Sequence, residues 1–224
     1  MKIKHVVILI IAILIAVAVV YYQLSETMPS TIPTTVNSPV ITPMPETILP
    51  DSNTAGKMDF QSPLDRASER IAKKPFGIFI TPKTSPVQPE KFSGYHTGTD
   101  FEIFPGEENV DVPVRAICSG KLAIKKYAIG YGGVAVQSCV LNNESVAVIY
   151  GHLLLASINV TVGNDITAGE TLGLLGKGYS TETSGERKHL HLGIHKGTSI
   201  NILGYVPSQA QLSDWIDACK YVCQ

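Results

Sequence analysis

The chain has 224 residues, 44% of them hydrophobic and 17% charged, with a formal net charge of -1. That length holds one domain plus attachments, and the composition is that of a globular protein with an apolar tail. No Lys/Arg-rich run or basic helix is present, so nucleic-acid binding has no support.

Residues 1–5, Met1-Lys2-Ile3-Lys4-His5, precede an uninterrupted apolar run from Val6 to Tyr22. As a helix this run spans roughly 26 Å, close to the thickness of a bilayer core. It is expected to be a transmembrane anchor, with Lys2 and Lys4 holding the N-terminus in the cytoplasm and the following domain outside the cell membrane. A cleaved signal peptide is the competing reading, because Ala16-Val17-Ala18 supplies an A-x-A pattern. Cleavage there would leave Val19-Val20-Tyr21-Tyr22 on the product, which favours the anchor. Residues 23–57 are rich in Ser, Thr and Pro, with prolines scattered from Pro29 to Pro50. Such a segment buries too little apolar surface to offset its ordering entropy and is expected to be a disordered tether.

The folded domain is expected over 58–224. Pro63 to Ile71 suggests a short helix, and Phe76 to Ile80 an extended segment. Beyond Phe92 the pattern turns to short strands broken by glycine: Val112 to Ile117, Lys121 to Tyr127, Val134 to Val140, Val146 to Tyr150, Thr171 to Leu175 and His189 to Ile194. Asn142-Asn143 is the clearest hairpin signal. The fold class is therefore mainly β, a curved antiparallel sheet or sandwich with a core over about 93–196. Ser208 to Val222 is predicted as a C-terminal helix capped by Ser208, with Leu212, Trp215, Ile216 and Cys219 on one face.

Four cysteines in a domain outside the membrane allow three pairings. Cys118 and Cys139 lie on strands that can be neighbours. Cys219 and Cys223 sit one helical turn apart. No C-x2-C pair exists, which argues against a zinc site built from cysteine.

The chemistry concentrates in the histidines. In Lys188-His189-Leu190-His191-Leu192-Gly193-Ile194, an extended chain puts His189 and His191 on one face and the apolar side chains on the other. Gly94-Tyr95-His96-Thr97-Gly98-Thr99-Asp100-Phe101 adds a histidine and a carboxylate. On a straight strand their Cα atoms would lie roughly 13 Å apart, so Gly98 is expected to bend the chain if they are to share one ion. Ile149-Tyr150-Gly151-His152-Leu153 places a further histidine at a strand end. Of the six histidines, only His5 and His195 fall outside these motifs. Such clustering suits a catalytic zinc site, which needs three N/O ligands and an open position for water.

Tyr95-His96-Thr97-Gly98-Thr99-Asp100-Phe101, Val112-Pro113-Val114-Arg115-Ala116, Tyr150-Gly151-His152-Leu153, Val162-Gly163 with Ala168-Gly169, and His189-Leu190-His191-Leu192 occur in that order. Together they resemble the lysostaphin-type zinc metallopeptidases, the LytM-like peptidoglycan hydrolases, over about Ser93 to Lys196. The resemblance implies one Zn2+ held by His96, Asp100 and His191, with His152 and His189 lining the metal water as catalytic groups. It further implies a membrane-anchored endopeptidase acting on peptidoglycan peptides. The alternative is a domain of the same fold that binds wall peptides or regulates a hydrolase without cutting. Two segments depart from the family pattern: Phe104 to Asp111 is longer than the usual link, and Gly185-Glu186-Arg187-Lys188 replaces a short small-residue approach to His189.

Overall fold

The computed structural model describes residues 60–71 and 73–224. The expected anchor over 6–22 and the tether over 23–57 lie outside the described residues. Among the described residues, no helix is long and apolar enough to cross a membrane.

The described residues form thirteen β-strands and very little helix. The strands are β1 (Phe79–Ile80), β2 (Gly94–His96), β3 (Gly98–Glu102), β4 (Pro113–Arg115), β5 (Gly120–Ala128), β6 (Gly132–Leu141), β7 (Glu144–Gly151), β8 (Leu153–Leu154), β9 (Asp165–Ile166), β10 (Thr171–Leu175), β11 (His189–Lys196), β12 (Tyr205–Val206) and β13 (Trp215–Ile216). The principal sheet runs β13-β11-β7-β6-β5-β9, with β3 also paired to β11. Every ladder is antiparallel. Two three-stranded sheets, β4-β10-β8 and β1-β2-β12, flank it.

Alternation along the long strands explains the layering. Val148 and Tyr150 of β7 join Leu190, Leu192 and Ile194 of β11 in the main core, while Ala147 and Ile149 face the opposite side with Val134, Val136 and Trp215. The β6–β7 hairpin turns at Asn142 and Asn143, whose φ values are 50° and 66°. A two-residue loop with both φ positive matches the twist of the flanking strands, and asparagine tolerates that geometry. Each strand predicted from Val112 onward is present, shifted by at most a few residues.

Near the N-terminus, Pro63 to Ile71 contributes only a 3-10 turn, Ala67–Arg70. The predicted helix from Ser208 to Val222 is corrected by the structure. Ser208 does cap a helix, accepting a bond from Gln211 N, but that helix is only Gln209–Leu212. Trp215 and Ile216 then form β13, opposite His195 and Ile194, and a second short helix covers Cys219–Val222. The free edge of β11 offers backbone partners that a continuous helix would leave unpaired, and this contact overrides the local 3.6-residue period.

Both cysteine pairs are bonded, Cys118, just before β5, to Cys139 of β6, and Cys219 to Cys223 within the last turn. In the chain-entropy account, a bridge closing about 20 residues contributes roughly 3 kcal/mol by restricting the unfolded chain.

Candidate metal centre

Four strands, β2, β3, β7 and β11, meet at the site. In the β3–β11 ladder, Asp100 is the direct cross-strand partner of His191, and Glu102 that of His189. On the other edge of β11, His191 lies opposite Gly151, the residue before His152. His96 arrives from the flanking sheet, paired with Tyr205. The chain then changes sheet at Thr97, whose N–H donates to Gly204 O at 3.1 Å. That crossing, rather than a special torsion at Gly98, lets His96 and Asp100 converge. Gly98 is required for room: a Cβ there would lie 2.6 Å from both His191 Nε2 and Leu192 O.

All five residues singled out in the sequence come together, each buried. His96 Nε2 lies 3.0 Å from His191 Nδ1, His191 Nδ1 lies 3.2 Å from Asp100 Oδ1, and His96 Nε2 lies 3.3 Å from the same oxygen. Ligands about 2.0–2.1 Å from a tetrahedral zinc stand roughly 3.3 Å from one another. The donor set of two imidazoles and one carboxylate therefore fits zinc in both chemistry and spacing. Among the described residues, His96, Asp100 and His191 are the one group of ligating side chains so arranged.

The outer partners fix which nitrogen faces the centre. Pro75 O can only accept, so the 3.2 Å contact from His96 Nδ1 puts the proton there and leaves Nε2 with a lone pair. His191 Nε2 meets the Tyr131 hydroxyl at 3.2 Å, leaving Nδ1 to the centre. Tyr131 reaches it over Gly151, where a Cβ would come within 2.4 Å of the tyrosine ring. His189 Nδ1 donates to Arg187 O at 2.9 Å, which turns Nε2 inward.

Electrostatics favour a neutral imidazole at His191 and an ionised carboxylate at Asp100. Burial pushes the His191 imidazole down to about 4. Burial alone would raise Asp100, but its contacts with His189, His96 and His191 hold its carboxyl well below the usual range. Burial, reinforced by His189, also keeps His152 neutral. The His152 and His189 rings stand 4.2 Å apart. His152 adopts a φ of 65°, uncommon for a residue with a side chain, and its buried Nδ1 has no protein partner.

These groups line a groove of about 250 Å³. One wall is made by Lys74, Glu90, Phe92 and Ser93: Lys74 Nζ donates to Glu90 at 2.6 Å and to the Tyr205 hydroxyl at 3.1 Å, and Phe92 stacks on Tyr205 with centroids 5.7 Å apart. Ile129, 90% exposed at the β5–β6 turn, lines the groove as well. The sequence reading did not single out Tyr131, Pro75 or this wall. Glycines on both sides of Tyr131, at 130, 132 and 133, are the one local signal that marks it.

Residues 94–202 match the model for Peptidase family M23. Over that stretch the chain is similar to the M23 peptidases. The match begins at β2, so the wall residues Lys74, Glu90, Phe92 and Ser93 precede it. Among solved structures, the chain is similar to the catalytic domain of the antimicrobial peptidase lysostaphin from Staphylococcus simulans, with 22% identity over 69% of this chain and 93% of that one and a TM-score of 0.46. LytU matches with 23% identity over 67% of this chain and 84% of that one, TM-score 0.44. A zinc-containing peptidase from Vibrio cholerae matches with 21% identity over 65% of this chain and 41% of that one, TM-score 0.39. No curated protein matches.

Proposed function

We propose that the chain is a zinc metalloendopeptidase, anchored in the cell membrane with its M23 domain outside, that hydrolyses peptide bonds of peptidoglycan. The observation that carries this reading is the convergence of His96 Nε2, Asp100 Oδ1 and His191 Nδ1 at 3.0–3.3 Å, beside two further histidines in an open groove. The apolar run from Val6 to Tyr22 supports the anchor. Two disulfides favour an oxidising compartment. The ordered motifs that resemble the lysostaphin-type peptidases support peptidoglycan as substrate.

A zinc ion held by these three atoms would supply a Lewis acid that acidifies water and polarises a peptide carbonyl. His189, with Nδ1 tied to Arg187 O, presents the Nε2 lone pair as acceptor for the proton of the attacking water. His152, neutral and beside it, donates an N–H to the developing oxyanion. Tyr131 and Pro75 hold the ligand rings in orientation, and the Lys74–Glu90 wall limits solvent on one side.

The test is digestion of purified peptidoglycan by the full-length chain, followed by the appearance of new amino termini. Release that stops with a strong chelator and returns when zinc is added supports the reading. Intact peptidoglycan after zinc reconstitution contradicts it.

A further inference from the structure

The two segments that depart from the family pattern, Phe104 to Asp111 and Gly185 to Lys188, pack against each other. Lys188 Nζ donates to Glu107 O at 2.9 Å and to Val110 O at 2.6 Å. Arg70 holds the Glu107 carboxylate with two bonds, of 2.6 and 2.9 Å, and reaches Glu102 O at 3.2 Å. This bracing fixes the stretch from which Arg187 projects.

Arg187 is 7% exposed and turns back over β3. Its Nε bonds both Glu102 oxygens, at 2.9 and 3.0 Å. Its Nη2 donates to Asp100 Oδ2 at 2.9 Å. Glu102 lies two residues after Asp100 on β3, so both carboxylates share the face that Arg187 covers. Asp100 thus divides its oxygens: Oδ1 faces His96 and His191, and Oδ2 faces Arg187, with His189 Nε2 at 3.3 Å.

We infer that Arg187, locked in place by Glu102, is a positioning residue that occupies Asp100 Oδ2 and thereby restricts this carboxylate to one-oxygen coordination of a metal. The inference rests on the zinc reading of the site. A carboxylate with both oxygens free can bind through either or both, whereas one oxygen held in a charge-assisted bond is no longer offered. The planar guanidinium suits this task because it reaches two carboxylates from one rigid fork, which a lysine ammonium does not. Keeping Asp100 to one oxygen preserves an open position for water. Arg187 also orients His189 through its backbone carbonyl, a contact that does not depend on its side chain.

The test uses the full-length chain loaded with Co2+, whose visible spectrum reports coordination number, beside zinc-loaded protein for kinetics. Arg187→Met, close in volume but without donors, is expected to lose the intensity of a four-coordinate cobalt ion and to lower kcat about 10- to 100-fold with little change in KM. Arg187→Lys should recover only part of either. Because Arg187→Met leaves Glu102 with only Lys73, at 3.9 Å, as a cationic partner, the double variant Glu102→Gln, Arg187→Met removes that poorly paired charge and should show the same cobalt spectrum as the single variant. Wild-type spectra and kcat in Arg187→Met, or in the double variant if only that one folds, overturn the inference while leaving the zinc reading intact. A wild-type chain that binds neither Co2+ nor zinc overturns both.

Discussion

Replacing His189 by alanine should leave zinc bound and lower kcat by about 10²- to 10⁴-fold, the range typical of a lost general acid or base. The separation of metal from proton transfer follows from geometry. His189 shares a strand face with His191, yet its Nε2 faces Asp100 Oδ2 at 3.3 Å, whereas the three converging ligand atoms meet at Oδ1. His152→Ala should behave similarly, since His152 approaches from the end of β7 and takes no part in the three-atom cluster. Zinc content measured on both variants beside kcat checks the division. Loss of zinc in His189→Ala would make it a ligand, and unchanged turnover in both variants would remove the pair from the chemistry.

Gly98→Ala should be damaging although it adds one methyl group. The new Cβ would lie 2.6 Å from His191 Nε2 and from Leu192 O. Leu192 O belongs to the backbone of β11, which is held on both edges by β3 and β7, so it has little freedom to retreat. The choices are to open the β3–β11 ladder or to swing the His191 ring off the centre. Overpacking of this kind costs about 3 kcal/mol, and here it also displaces a ligand. Thermal or denaturant unfolding, with zinc affinity alongside, should show both losses. A variant with wild-type stability and zinc affinity would mean that β3 and β11 are less tightly joined than described.

How much of this was legible in the sequence depends on the range of the interaction. The alternation in His189 to Ile194 was enough to put two imidazoles on one face and three apolar side chains on the other, and the structure keeps that arrangement. The Asn142-Asn143 turn was equally local. The predicted C-terminal helix failed because the edge of β11, some 20 residues earlier in the chain, recruits Trp215 and Ile216. His96 and Asp100 do need a change of chain direction to converge, but the chain makes it by crossing between sheets at Thr97, and glycine at 98 admits the His191 ring. The groups that orient the site lay beyond any local pattern. Tyr131 meets His191 across 60 residues, and Arg187 meets Asp100 across 87.

The account stands most directly on the number of zinc ions held by the wild-type chain and by His191→Ala, measured by elemental analysis after zinc reconstitution and removal of loosely bound metal. One zinc per wild-type chain, and none in His191→Ala while its fold is retained, is the predicted result. A wild-type chain without zinc, or a His191→Ala variant that keeps its full complement, would contradict it.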